Sequence, residues 1–322
     1  MAATMVPDPE LTPSVLPTDR LLPSGILRPD LRAPMRCIAD GRNALTVLVL
    51  YAHAALVIGG AVAIGHPLAY AVSFLLMGPV FARFLILNHE AAHRLLFTNR
   101  RVNDRVGRWV LAYPAFTPID AYRRGHMAHH REEFGPDEPD LAFYRGYPTS
   151  RASLRRKLTR DAVGISGYKN LVPLFRAVAK PTTRRVAVSI LGVQAVLLGA
   201  SVVAGVWWVY PVLWFGPWMT VWRVLNRLRA IAEHGGMAAS DDRRRTTHVV
   251  RQHWLARWWL VPYHTGWHLA HHVDMGVPWR NLPAFHDELV RAGYVTAGLE
   301  HPTYRALWHS LSSAPPTPRD ER

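Results

Sequence analysis

Seventeen histidines are spread through this 322-residue chain, and eight of them fall into three tight clusters. His89 and His93 stand four apart in His89-Glu90-Ala91-Ala92-His93. His126, His129 and His130 form an H-x-x-H-H pattern, which His268, His271 and His272 repeat. On a helix, positions three and four apart share a face, so each cluster aims its imidazoles one way. Converging imidazoles hold metals, and this ligand type suits iron, copper, zinc and nickel alike. Eight are too many for one tetrahedral zinc and suit two metals with five or six positions each. H-E-x-x-H alone is the pattern of a zinc metalloprotease, with Glu90 as general base, but that reading leaves the other clusters without a task. Glu90-x-x-His93 also matches half of a carboxylate-rich di-iron site in a soluble bundle, yet no second E-x-x-H exists in the chain. Two redox metals in one histidine cage beside a membrane point to oxygen activation against a lipid chain. Metal-bound imidazoles need partners for their other nitrogen. Glu90, Asp137, Asp140, Glu233 and His264 are the candidates for that supporting layer.

The elements that must position these clusters are helices long enough to cross a bilayer. Residues 44–65 form an apolar run with no formal charge, and residues 68–88 form a second carrying only Arg83. Roughly 20 residues at 1.5 Å each cross the hydrocarbon core. Residues 186–205 make a third span, and residues 208–226 a fourth that reaches spanning length by running past Arg223 or by tilting or kinking near Pro217. The expected architecture is all-α and membrane-embedded. About four transmembrane helices in two hairpins would carry a cytosolic helical cap that holds the histidine clusters. Between the hairpins, Trp109 to Phe116 is too short to span and reads as an interfacial or re-entrant segment that returns the chain to the membrane face. Residues 154–180 read as a basic amphipathic region lying on the membrane. Residues 1–36, rich in proline, are expected as a disordered cytosolic tail without a cleavable signal. Residues 37–311 form the membrane domain, and residues 312–322 a flexible tail.

The formal net charge of +15 comes almost entirely from arginine. With both hairpin turns short, every long arginine-rich segment falls on one side, which the positive-inside rule makes cytoplasmic. Both termini and all three clusters share that side, in an inner or plasma membrane. This accounts for the charge without nucleic acid, for which no binding signature is present. The single Cys37 excludes an intrachain disulfide and a multi-cysteine zinc site. The histidines outside the clusters take plainer roles. His53 and His66 are read as packing or interface residues, His286 as structural, and His248, His253, His301 and His309 as surface residues.

The three clusters in this order and setting resemble the integral-membrane fatty acid desaturase and hydroxylase superfamily, whose members carry H-x-x-x-H, H-x-x-H-H and H-x-x-H-H on the cytosolic side of four spans. The resemblance runs from about His89 to His286. It extends to Arg229-Ala230-Ile231-Ala232-Glu233-His234-Gly235, where the family often places a further ligand, and so implies His234 as a ninth. The family's continuation after the third box is matched by Val277-Pro278-Trp279-Arg280-Asn281-Leu282-Pro283. One departure is Ala270, where many acyl-lipid members have Glu or Gln; it bears on regiochemistry and subfamily rather than on the metal site. The resemblance implies two non-heme iron ions, dioxygen as co-substrate, and desaturation of an acyl chain carried by lipid, coenzyme A or acyl carrier protein. Hydroxylation or ketolation of a lipid or terpenoid chain is the alternative on the same cage. No histidine precedes His53, so no fused cytochrome b5 is expected. Electrons would come from a ferredoxin or a cytochrome b5-type protein with its reductase.

Overall fold

The chain is described by a computed structural model covering residues 4–315. It is mostly helical, and its backbone contacts divide it into two compact units. One comprises residues 39–123 and 157–226; the other comprises residues 1–38, 124–156 and 227–322.

The first unit holds three helices long and apolar enough to cross a membrane: Asp40–Ile64, Pro67–Ala92 and Pro181–Val203. Leu48, Leu56, Ile64, Leu68, Val196 and Val203 are exposed on them, as lipid-facing helix surfaces require. Only Gly65 and His66 separate the first two. Gly65 ends the first helix with φ at +66°, which glycine adopts without a Cβ clash. The His66 ring then accepts from the Leu68 N–H at 3.2 Å, and Pro67 opens the second helix. The Ser73 hydroxyl donates to the Val57 carbonyl at 3.0 Å, tying the pair together.

The fourth span expected over residues 208–226 is not one long helix. Pro211 and Pro217 lack the N–H a regular helix needs. The chain winds as a π-helix over Tyr210–Phe215 and an α-helix over Gly216–Met219. It breaks at Thr220 (φ −125°, ψ −81°) before the helix Val221–His234 begins.

The segment expected to be interfacial or re-entrant is built into this unit. A π-helix over Val106–Ala112 ends in irregular backbone, whose carbonyls need partners wherever water is excluded. Gln194 donates to the Tyr113 and Pro114 carbonyls at 2.7 and 3.3 Å. The Trp214 and Trp218 indoles donate to the Pro114 and Ala115 carbonyls at 3.1 and 3.0 Å. Residues 154–180 form parts of two helices, Arg151–Ala162 and Ile165–Val178, with Val163, Ile165, Tyr168 and Phe175 exposed.

The second unit has its own core, built from Leu269, Ala270, Val273, Trp279, Phe285 and Leu289 among others. The expectation of a disordered tail over residues 1–36 is corrected for residues 4–36, and residues 1–3 lie outside the described residues. Leu21 and Leu27 are wholly buried in that core. Arg32 pairs with Asp274 at 2.6 Å, and Arg20 pairs with Glu288. The Arg244 guanidinium donates to the Pro13 and Thr12 carbonyls at 3.1 and 3.4 Å. Proline suppresses regular structure in this segment, but side chains anchor it all the same. At the other end, Ser313 bridges Ser150 and Ala314 donates to Thr149 at 3.2 Å. The rest of the predicted flexible tail, residues 316–322, lies outside the described residues.

Candidate metal centre

In the unit formed by residues 1–38, 124–156 and 227–322, seven of the predicted ligands sort into two groups. The helix Ile119–Arg131 carries His126, His129 and His130; the helix Val221–His234 ends in His234; and the short helix His268–Val273 carries the third box. The helices of the second and third boxes each gather their imidazoles on one face, as the i, i+3 and i+4 spacing requires. His126, His130 and His271 bring one nitrogen each to within 4.8 Å of one another, and so do His129, His234 and His272. His268 joins the second group, its Nε2 standing 3.0 Å from the Nε2 of both His234 and His272. In the first group the Nε2 atoms of His126 and His130 are 3.1 Å apart. All seven side chains are buried.

The outer ring nitrogens decide what those inner nitrogens can be. His234 Nδ1 donates to the Thr246 carbonyl at 2.9 Å. His272 Nδ1 bonds to Glu133, whose carboxylate is also held by Arg243 at 2.7 Å. His129 Nδ1 bonds to Glu138, which also accepts from the Tyr144 hydroxyl and the Phe134 N–H. His268 Nδ1 lies 3.6 Å from Glu233, itself paired with Arg229 at 3.1 Å. With Nδ1 carrying the proton on His234 and His272, each Nε2 is a bare lone pair aimed at the shared centre. Lone pairs facing one another at 3.0 Å repel unless a cation lies between them. Two nitrogens each about 2.1 Å from one ion, at right angles, are about 3 Å apart. The residues therefore fit a histidine-ligated metal.

Electrostatics support the same assignment. Burial pushes His234, His268 and His272 well below the ordinary imidazole range, and neighbouring imidazoles add to it. They are neutral near pH 7 and need shed no proton to ligate. For His129, burial acts downward but the bond to Glu138 prevails and the result is upward. Burial raises Glu133 against the pull of Arg243, and raises Glu233 against the pull of Arg229.

His89 and His93 belong to the other unit, at the end of the helix Pro67–Ala92. Their rings are 4.6 Å apart, and they offer nitrogens within 4.8 Å of each other. Glu90 is buried on the same turn. Arg123 caps this helix end, donating to the Ala92 and Ala91 carbonyls at 2.8 and 3.0 Å.

The supporting carboxylates differ from those expected from sequence. Asp137 is exposed. Asp140 acts on His129 only through its field. Glu138, lying between them, makes the bond. Glu133 supports His272, and of the expected carboxylates Glu233 lies beside His268. The signal for Glu133 was its place three residues after His130; the turn at Phe134, with φ at +62°, is what folds Glu138 back and cannot be read from composition. His264 packs on Trp267 and Trp279 instead, and burial lowers it to about 4. His248, expected at the surface, is buried with Nε2 bonded to the Gly235 carbonyl at 2.7 Å.

A family model described as fatty acid desaturase matches residues 65–305. The dihydrorhizobitoxine desaturase of Bradyrhizobium elkanii is 25% identical over 226 residues, covering 65% of this chain and 64% of the relative. The sn-1 oleoyl-lipid 12-desaturase of Arthrospira platensis is 24% identical over 234 residues, covering 66% and 65%. The chain thus spans just under two thirds of the length of each of these relatives.

Proposed function

The chain belongs to the fatty acid desaturase family, and from that premise we propose that it is a membrane-bound di-iron acyl desaturase. It would introduce a double bond into an acyl chain linked to lipid, coenzyme A or acyl carrier protein, using dioxygen and electrons from a separate ferredoxin or cytochrome b5-type donor. The observation that carries this reading is the sorting of seven buried imidazoles into two groups. A single catalytic zinc, as in a metalloprotease, needs three protein ligands and leaves one whole group without a role.

His126, His130 and His271 are assigned to one iron, and His129, His234, His268 and His272 to the other. Membership of the family also assigns ligand roles to His89 and His93. When bound, the metals supply the redox chemistry with dioxygen that an unactivated methylene requires. The chain's own residues hold that chemistry in place. Glu133, Glu138 and the Thr246 carbonyl keep Nδ1 of their histidines protonated, so that Nε2 is presented as the ligand atom. Arg243 and Arg229 hold Glu133 and Glu233 in turn. The neutral state of His234, His268 and His272 keeps protons from competing with the metal near pH 7. Both termini and the histidine clusters are assigned to the cytoplasmic side, where a donor protein can reach them.

The test is metal analysis together with lipid profiling of cells making the chain. About two iron per chain and a new unsaturated acyl product are expected, with both lost in His272→Ala and His130→Ala. A hydroxylated product would replace desaturation with hydroxylation on the same cage. One zinc per chain and no lipid product would overturn the proposal.

A further inference from the structure

Arg223 is the one strongly basic side chain in the expected fourth span, and the metal centre does not use it. It follows the break at Thr220, in the first turn of Val221–His234. Its guanidinium lies 4.0 Å over the Trp218 ring. Two of its nitrogens, Nε and Nη2, are buried without a hydrogen-bond partner. These two form the side-on edge of the guanidinium, with parallel N–H groups spaced for the two oxygens of one oxyanion. The same edge holds carboxylates elsewhere in this chain. Arg32 uses Nε and Nη2 on Asp274, and Arg244 uses them on Asp242. Buried Asp161 contributes a field at Arg223, but it does not fill this edge. A charged group withdrawn from water with its fork empty is costly, and a protein keeps one where a ligand completes it.

The surroundings say which ligand. Trp218 carries Arg223 on one side and stacks on Phe116 at 4.2 Å, with Phe215 beyond at 6.2 Å from Trp218. A packed aromatic cluster thus begins where the charge ends. The helix Ile165–Val178 approaches so closely that a Cβ on Gly167 would stand 2.4 Å from the Met219 carbonyl. Its exposed Tyr168 and Phe175 beside Lys169 and Arg176 suit the headgroup layer. We propose that Arg223 is the headgroup anchor for the acyl substrate, its Nε–Nη2 fork gripping a two-oxygen anion while the chain runs along Trp218 and Phe116. The anion is a carboxylate of a free acid or a phosphate of a lipid head. This inference rests on the desaturase reading for its substrate class and makes no use of the metals.

The experiment is equilibrium binding to full-length, iron-loaded protein in nanodiscs without dioxygen, so that no turnover occurs. The probes are stearate, methyl stearate and stearoyl lysophosphatidate. The parent should bind at least one of the two anions more tightly than the ester. Arg223→Gln should weaken that anion by about 10- to 100-fold, the worth of charge-assisted hydrogen bonds, and leave the ester within about twofold. Arg223→Lys keeps the charge but lacks the fork, so it should also weaken the anion while retaining the parent's thermal stability. The preferred anion distinguishes a carboxylate from a phosphate source. Equal loss of anion and ester, or unchanged anion binding in Arg223→Lys, would overturn the proposal. A metal count or product that contradicts desaturation would leave these binding differences intact, so the two failures are separable.

Discussion

Glu138 offers the sharpest test of how the metal centre is held. It receives the His129 ring, the Tyr144 hydroxyl and the Phe134 N–H, and is buried. Glu138→Gln keeps one acceptor oxygen but removes the charge and turns an amide N–H toward groups that already donate. Loss of such a partner lowers metal affinity by about 10- to 100-fold, equivalent to roughly 1.4–2.7 kcal/mol. Glu138→Ala removes the acceptor outright and leaves several buried donors unmet, each costing about 1–3 kcal/mol. It should therefore destabilise the fold by several times the effect of a surface change. The assay is metal retention against a graded chelator, read beside thermal unfolding of the same samples. Asp137→Asn, one residue away and exposed, is the control and should match the parent in both. If folded Glu138→Gln holds metal as tightly as the parent, the argument that Glu138 orients His129 is wrong.

Three further outcomes follow from the geometry. Because burial holds His234, His268 and His272 below the ordinary imidazole value, the unfolded chain takes up more protons once pH falls below about 6.5. Metal-free protein should keep full stability above that pH and lose it progressively below, in a pH series of thermal melts; stability that rises on acidification would contradict the assignment. Arg244→Ala removes a buried guanidinium that bonds Asp242, Pro13 and Thr12. It should cost about 3–5 kcal/mol and expose residues 4–27 to limited proteolysis while the long helices stay protected. Gly167→Ala forces a methyl against the Met219 backbone and should cost about 1–3 kcal/mol, whereas Gly192→Ala, with open space around it, should leave the melting temperature unchanged.

The order and spacing of the histidines needed no tertiary information, because the helical period alone places i, i+3 and i+4 on one face. The same holds for the three long apolar helices, since bilayer thickness sets a length that can be counted along the chain. That Trp109 to Phe116 forms no long apolar helix was also legible, from a run too short to span. Hydropathy gives the apolar length of residues 208–226 but not how they wind, which the prolines and the break at Thr220 decide. The proline-rich beginning shows the same limit. Composition signals irregular backbone but not disorder, and Leu21 and Leu27 belong to a core whose other members lie more than two hundred residues away.

What the sequence by itself determined about this protein is therefore its histidine clusters and its three long apolar helices, both properties of local periodicity. Only the tertiary structure decided how the imidazoles of the second and third boxes and His234 divide into two groups. That division depends on which ring nitrogen is engaged from outside, and the engaging groups come from turns and distant segments: Glu133, Glu138 and the Thr246 carbonyl. A carboxylate one residue too early points to solvent, as Asp137 does. Sequence proximity narrows the choice to a few acids, and the path of the backbone between Phe134 and Tyr144 selects the one that reaches His129.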